Sequence, residues 1–185
     1  MNRIETALPG ACILEPDVHG DARGYFLETF HAAKFAALGL DLAFVQTNVS
    51  RSARGVLRGL HYQWPKPQGK LVTVLEGNVW DVAVDIRVGS PTFACWTAVE
   101  LSAVNHRLFW IPEGYAHGFC VLSEHATFMY QCTTLYDGSA DAVIRWNDES
   151  LAISWPMDCP ILSTKDGSAP LLSELTSARL PTYVE

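Results

Sequence analysis

Hydrophobic and polar residues alternate through most of the middle of the chain. The clearest run covers 78–86 (NVWDVAVDI), where consecutive side chains would point to opposite faces of a β-strand. Further runs rich in β-branched and aromatic residues predict strands at 45–50, 55–63, 70–75, 94–101, 107–111, 118–123 and 126–134. Helical spacing is confined to two short stretches, 31–38 and about 170–179.

Turn residues separate these strands. Glu76-Gly77-Asn78 predicts a hairpin turn, and triplets containing glycine or proline at 89–91, 112–114 and 137–139 punctuate the other strands. Many short strands at this spacing are typical of an antiparallel sandwich or barrel of the jelly-roll type. We therefore expect one all-β domain with short peripheral helices over 1–185: an N-terminal arm at about 1–30, a core at about 40–157 and a helical C-terminal tail at about 158–185.

Composition narrows the class of protein. Of 185 residues, 49% are hydrophobic and 18% are charged, which excludes a disordered chain. The net charge of -7 argues against nucleic acid or an anionic membrane as partner, but a few local cations could still hold an anionic small ligand. The first residues lack the apolar stretch of a signal peptide, and the five cysteines form no CxxC pair. We expect a cytoplasmic protein with reduced thiols and no membrane partner.

Polar residues stand in the middle of several strands, where the core of a sandwich would be aliphatic. By period-two counting they share strand faces with apolar residues, which predicts a polar cavity on the inner face. Arg58 has the opposite parity to His61 and should point away from it unless the strand bends. Each polar residue could instead be solvated surface or a hydrogen-bonded structural residue. The set comprises Gln46, Asn48, His61, Lys70, Asp81, His117 and Tyr130.

These side chains could support proton transfer at carbon. A histidine can take a proton from a carbon next to a carbonyl, and a lysine can stabilise the enolate oxygen that results. A tyrosine on an opposing strand can return a proton to the other face, and an aspartate can orient the histidine. Together these steps are an epimerisation, although the same residue types would also serve a passive ligand pocket.

Metal binding is the main competing chemistry. Pro112-Glu-Gly114-Tyr-Ala-His117 matches the PxGxxH half of the cupin metal signature. The other half requires two histidines separated by one residue, and here that stretch is His61-Tyr62-Gln63. One histidine from each half leaves too few ligands, so we expect a cupin barrel without a metal.

Several longer blocks resemble the dTDP-4-dehydrorhamnose 3,5-epimerase family. The resemblance runs in the same order from about Asp21 to Asp166. The blocks that carry it are 55–63 (GVLRGLHYQ), 68–71 (QGKL), 79–87 (VWDVAVDIR), 89–93 (GSPTF), 110–119 (WIPEGYAHGF), 144–148 (IRWND) and 162–166 (LSTKD). It implies a cupin-like jelly roll that acts as a homodimer, without metal or organic cofactor, on dTDP-4-dehydro-6-deoxy-D-glucose at carbons 3 and 5.

The resemblance also implies roles for individual residues. His61 matches the proton acceptor and Asp166 its partner, Tyr130 matches the proton donor, and Lys70 the residue that faces the 4-keto oxygen. Tyr136 matches a tyrosine that stacks on thymine. The positions that match other pocket, nucleotide or sugar contacts are Gln46, Asn48, Arg58, Asp81, His117 and Lys165.

The N-terminal arm and one loop need separate comment. Arg23, Phe26 and Glu28 match an arm that, in the family, reaches the pocket of the partner subunit. After the stacking tyrosine the family has a proline and a glutamate, where this chain has Gly138 and Asp141. Aspartate keeps the charge with a shorter reach, so the contact of Asp141 could become water-mediated or be lost.

Three other functions remain open from the sequence. A related enzyme could invert only one of the two carbons. A metal-dependent cupin or a non-catalytic sugar-nucleotide-binding module would use the same fold.

Overall fold

The computed structural model describes residues 1–184 and consists of two facing antiparallel sheets with a separate hairpin. The first sheet has the strand order β1-β2-β10-β7-β12-β5, the second has β13-β6-β11-β8-β9, and β3 pairs with β4. The strands are β1 (Asn2–Glu5), β2 (Cys12–Glu15), β3 (Val18–Asp21), β4 (Gly24–Leu27), β5 (Gln46–Ala53), β6 (Leu57–Gln63), β7 (Lys70–Glu76), β8 (Asn78–Asp85), β9 (Trp96–Ser102), β10 (Leu108–Ile111), β11 (Tyr115–Val121), β12 (His125–Cys132) and β13 (Asp141–Val143).

The space between the two sheets is the hydrophobic core. Val72, Phe109 and Phe128 of the first sheet pack there against Val79 and Phe119 of the second, and all five are buried. Because side chains alternate along each strand, the polar residues that share these inward faces lie in the same interior. The prediction of an all-β, cupin-like jelly roll is confirmed.

Segments outside the sheets cover their outer faces. The helix α1 (Ala32–Ala37) places Phe35 against Leu71 and Leu108 of the first sheet. The C-terminal part packs Leu172 and Leu180 on the outer face of the second sheet. Burying apolar side chains on both faces stabilises β6, β8 and β11, which hold His61, Asp81 and His117.

Two sequence predictions about local structure are wrong. The turn at Gly77 does not close a hairpin, because β7 pairs with β10 and β12 while β8 pairs with β9 and β11. The chain instead crosses there from one sheet to the other. The stretch 170–179 is not one helix but two 3₁₀ turns, Leu172–Glu174 and Ser177–Arg179. Extended backbone at Leu175 and Thr176 separates them and lets the tail follow the sheet surface.

The strands of the N-terminal arm and β13 were not predicted. They are three or four residues long, and β3 and β4 are mostly exposed, so no periodic apolar signal marks them. A short helix, α2 (Thr164–Gly167), lies in the tail. Within residues 1–184, the structure contains no helix with the length and hydropathy needed to cross a membrane.

A bulge in β6 changes which side chains face the interior. His61 is paired with His117 and Arg58 with Phe119, so three steps along β6 correspond to two along β11. The extra residue reverses the parity, and Arg58 therefore faces the same side as His61. The expectation that Arg58 points away is wrong for this reason.

The bulge depends on a glycine at position 59. Gly59 has a φ of +137°, and a Cβ atom there would lie 2.5 Å from the Cα of Gly118. Only glycine allows both this backbone conformation and this close approach of β6 to β11.

We predict that Gly59→Ala lowers the free energy of unfolding by about 3 kcal/mol or more, because it combines a strained φ with a backbone clash. The matched control is Gly89→Ala, since Gly89 has a φ of +90° and open space around its Cβ position. It should lose only about 1 kcal/mol. Urea unfolding of both variants measures the difference, and equal losses would show that the close approach is unimportant.

Candidate active site

A cavity of about 220 Å³ opens where β6, β7 and β12 meet the segment around α2. It brings together all four residues predicted to be catalytic and four of those predicted to bind substrate. The residues that line it are Arg58, His61, Tyr62, Gln63, Gln68, Lys70, Tyr130, Tyr136, Asp141, Ser163, Lys165 and Asp166.

His61 and Asp166 form a hydrogen-bonded pair at the wall of this cavity. The Nε2 atom of His61, on β6, lies 2.6 Å from Oδ1 of the buried Asp166. Ser163 caps α2 by accepting a hydrogen bond from the backbone N–H of Asp166. Burial raises the pKa of Asp166, but the hydrogen bonds from His61 and Ser163 outweigh it, so the net pKa is lowered. Asp166 is therefore a carboxylate that fixes the orientation of the imidazole.

Lys70 is a half-buried cation beside the pair. Its Nζ atom donates to the main-chain oxygen of His61 over 3.4 Å. Burial lowers the pKa of Lys70, and the nearby Cys132, Asp141 and Asp81 partly oppose that effect. An ammonium group in such a poorly solvated place interacts strongly with any negative charge that develops nearby.

Tyr130 faces the cavity from the opposite wall. It lies on β12 of the first sheet, whereas His61 belongs to the second. Its ring packs 6.2 Å from that of Phe128, centroid to centroid. Burial raises the pKa of the Tyr130 phenol, which keeps the hydroxyl protonated near neutral pH.

Three residues form a polar cluster at the mouth of the cavity. Oδ2 of Asp141 accepts a hydrogen bond from the Tyr136 hydroxyl at 3.0 Å and forms an ion pair with Lys165. The hydrogen bond to Asp141 raises the pKa of Tyr136. The carboxylate of Asp141 thus contacts the tyrosine directly.

Gln46, Asn48, Asp81 and His117 are not among the residues that line the cavity. Gln46 donates to Asn48 over 3.1 Å and, through its oxygen, accepts from the backbone N–H of Tyr136 at 2.8 Å. His117 places Nε2 at 3.0 and 3.1 Å from the two carboxylate oxygens of Asp81. This pair is buried behind the cavity wall, where burial raises the pKa of Asp81 and lowers that of His117.

The arm residues Arg23, Phe26 and Glu28 do not reach the cavity of their own chain. Arg23 forms an ion pair with Asp21, and Glu28 pairs with Lys34. The β3–β4 hairpin lies against the outer face of the first sheet, and Phe26 is 66% exposed.

Four lining residues were missed as site residues: Tyr62, Gln63, Gln68 and Ser163. Gln63 had a usable signal, since it shares a strand face with His61. The other three lie outside the parity argument, and Ser163 is recognisable only as a helix cap preceding Asp166.

The positions of the cupin metal signature bind protein groups. His117 is bonded to Asp81, and Gln63, at the position of the second histidine, is bonded to main-chain atoms. In the described part of the chain, no three His, Cys, Asp or Glu side chains gather as potential metal ligands.

Comparisons with known proteins agree on one family. The profile described as dTDP-4-dehydrorhamnose 3,5-epimerase matches residues 5–174. A dTDP-4-dehydrorhamnose 3,5-epimerase from Shigella flexneri is 53% identical over 168 residues, 90% of this chain and 93% of that protein. A dTDP-4-dehydrorhamnose 3-epimerase from Streptomyces niveus is 42% identical over 179 residues, 95% of this chain and 86% of that protein.

A solved structure shows the same likeness in three dimensions. It is dTDP-6-deoxy-D-glucose-3,5-epimerase from Legionella pneumophila Philadelphia 1 in complex with dTDP-4-keto-L-rhamnose. The sequences are 50% identical, the TM-score is 0.97, and the match covers 100% of this chain and 99% of that one.

We predict that Asp166→Asn makes the stability of the protein change less with pH in the acidic range. The folded pKa of Asp166 is lowered, so its ionised form contributes stability above its unfolded pKa of about 3.9, and that contribution is lost as the pH falls through the folded value. The urea midpoints of the wild type and the variant should differ by a steady amount above about pH 5 and converge progressively as the pH falls below it. Asp158→Asn, which changes an exposed carboxylate, is the control and should run parallel to the wild type. A constant gap for Asp166→Asn would contradict the prediction.

Proposed function

Since the chain belongs to the dTDP-4-dehydrorhamnose 3,5-epimerase family, we propose that it converts dTDP-4-dehydro-6-deoxy-D-glucose to dTDP-4-dehydro-6-deoxy-L-mannose. The observation that carries the proposal is the placement of His61 and Tyr130 on opposite walls of one cavity beside the half-buried Lys70. Inversion at carbon needs a base on one face of the substrate and a proton donor on the other.

His61 acts as the base in this proposal. The ketone at carbon 4 acidifies the C–H bonds at carbons 3 and 5, so one base can serve both. Neutral His61 takes the proton, and the electron pair of the broken C–H bond moves into an enolate with its charge on the carbonyl oxygen. Asp166 stabilises the imidazolium that forms, as its 2.6 Å contact with the ring allows.

Lys70 and Tyr130 complete the reaction. The Lys70 ammonium stabilises the negative charge that develops on the enolate oxygen. The Tyr130 hydroxyl then donates its proton to carbon from the other face, and the ketone forms again with inverted configuration. Proton transfers alone account for the change, so the proposed chemistry needs neither a redox cofactor nor a metal.

The nucleotide extends from the mouth of the cavity. A volume of about 220 Å³ accommodates the sugar but is below the range of about 300–1,000 Å³ for drug-sized ligands. Tyr136 is 59% exposed at the mouth and offers a ring face for the thymine base. Arg58 and Lys165 line the same cavity and supply cations for the diphosphate, despite the acidic net charge.

A homodimer would complete the site with the N-terminal arm. Tyr25 and Phe26 on the β3–β4 hairpin are exposed, as are Val49 and Leu75 on the outer face of the first sheet. Such apolar surface favours association with a second copy, whose Arg23, Phe26 and Glu28 would then reach the cavity.

We also infer that the described residues, 1–184, form one domain, because the two sheets share one core. The five cysteines are free, which supports the proposal that the protein acts in the reducing cytoplasm.

We predict that His61→Ala abolishes exchange of the substrate ring protons with deuterated water, a loss of at least about 10²–10⁴-fold, while dTDP still binds. Tyr130→Phe is the matched variant on the opposite wall, and it should retain exchange while losing product formation. NMR of the substrate in deuterated water measures both.

Two outcomes would contradict this assignment. Exchange retained in His61→Ala would mean that another group is the base, and equal loss of exchange and product in Tyr130→Phe would argue against a donor role. Deuterium in the wild-type product at one carbon only would favour a single-position epimerase, the activity named for the Streptomyces niveus relative.

The arm is tested by complementation between two inactive variants. Arg23→Ala should reduce activity to well below a quarter of wild type, because it removes a cation from the partner's site. Arg23→Ala coexpressed with His61→Ala should regain about a quarter of wild-type activity, since random pairing gives mixed dimers with one intact site each. No recovery, or a monomer at micromolar concentration by sedimentation, would refute the shared arm.

A further inference from the structure

Three glutamine side chains hold the segment that carries Tyr136. Thr134–Asp137 has no regular secondary structure, so its backbone groups need partners from elsewhere in the protein. Gln68 donates to the oxygen of Thr134 over 2.6 Å, and Gln46 accepts from the N–H of Tyr136 at 2.8 Å. The third glutamine, Gln63, binds this segment on both sides of Tyr136.

Gln63 uses both ends of its amide. Its nitrogen donates to the main-chain oxygens of Leu135 at 3.2 Å and Lys66 at 2.6 Å, and its oxygen accepts from the N–H of Asp137 at 2.8 Å. The residue is 5% exposed, so water cannot readily replace these bonds. One buried amide thus fixes the residues immediately before and after Tyr136.

The same residue is rigidly linked to the catalytic strand. Gln63 is the last residue of β6, two positions after His61, and it is paired with Asp141, whose carboxylate contacts the Tyr136 hydroxyl. Hydrogen bonds therefore connect both the backbone and the hydroxyl of Tyr136 to the strand that carries His61, or to its pairing partner β13.

We propose that Gln63 is a positioning residue that holds Tyr136 ready for the nucleotide base. The inference rests on the proposed function, which places that base against the Tyr136 ring. An exposed ring on an irregular segment would otherwise lose conformational freedom on binding, and fixing it beforehand removes that cost from the affinity for dTDP. Gln63 acts on binding and not on proton transfer, because its amide is occupied by main-chain groups.

A double-mutant cycle with Tyr136→Ala tests this role. Gln63→Met keeps the approximate volume and removes the hydrogen bonds. We expect it to raise the Kd for dTDP and the KM for the dTDP-sugar about tenfold, with kcat within about twofold of wild type. In the Tyr136→Ala background, Gln63→Met should cause no further loss of dTDP affinity, since it acts only through the tyrosine.

Matched variants separate positioning from general damage. Gln131→Met removes a glutamine amide from β12 outside the cavity lining and should leave the Kd for dTDP unchanged. Gln46→Leu removes the single bond to Tyr136 from outside the cavity, so it should weaken dTDP binding in the same way but less. This variant also keeps the inference testable if Gln63→Met does not fold.

The outcomes distinguish this inference from the proposed function. Additive losses in the double mutant, or a large fall in kcat for Gln63→Met, would overturn positioning through Tyr136. Unchanged dTDP affinity in Gln63→Met, with clear weakening in Tyr136→Ala, would overturn the inference alone. Unchanged dTDP affinity in Tyr136→Ala would instead overturn the contact between Tyr136 and the thymine base, on which the inference rests.

Discussion

The 2.6 Å contact between Nε2 of His61 and Oδ1 of Asp166 joins two parts of the chain that are 105 residues apart. His61 comes from β6, an interior strand of the second sheet, and Asp166 from α2, in the tail that returns over the cavity. The carboxylate can orient the imidazole only if the tail is held in place, and the packing of Leu172 and Leu180 on the outer face of that sheet provides this. The site therefore depends on the covering of the barrel as much as on the barrel itself.

Strand periodicity predicted the core of the fold well, because long strands with one buried face produce a strong alternating signal. It failed where the pairing of strands cannot be inferred from the alternation of apolar and polar residues. The turn at Gly77 has hairpin residues, yet it crosses between sheets, since the choice of partner strand depends on tertiary packing. Parity likewise misplaced Arg58, because the bulge at Gly59 is set by the approach of Gly118 from a strand 59 positions away.

In the candidate site, too, residues on strands were predictable from the local sequence pattern, whereas residues outside the strands were not. His61, Lys70 and Tyr130 stand on strands, so alternation alone placed them on inward faces. Asp166 lies in a short helix of the tail and Tyr136 in an irregular segment, and only the family resemblance identified them. The role of the N-terminal arm remains a prediction, because its proposed contacts involve a second copy of the chain.

The cupin metal signature shows how the same positions can serve proton transfer. Three of its positions carry His61, Gln63 and His117, and each is bonded to a protein group: Asp166, the main chain around Tyr136, and Asp81. The carboxylate partner of His61 orients its imidazole. An amide at position 63 supplies two donors and an acceptor, and both of its ends are bonded to main-chain groups. The substitution of glutamine for histidine at this position thus turns a ligand position into a support for the proposed nucleotide contact, next to the residue proposed as the base.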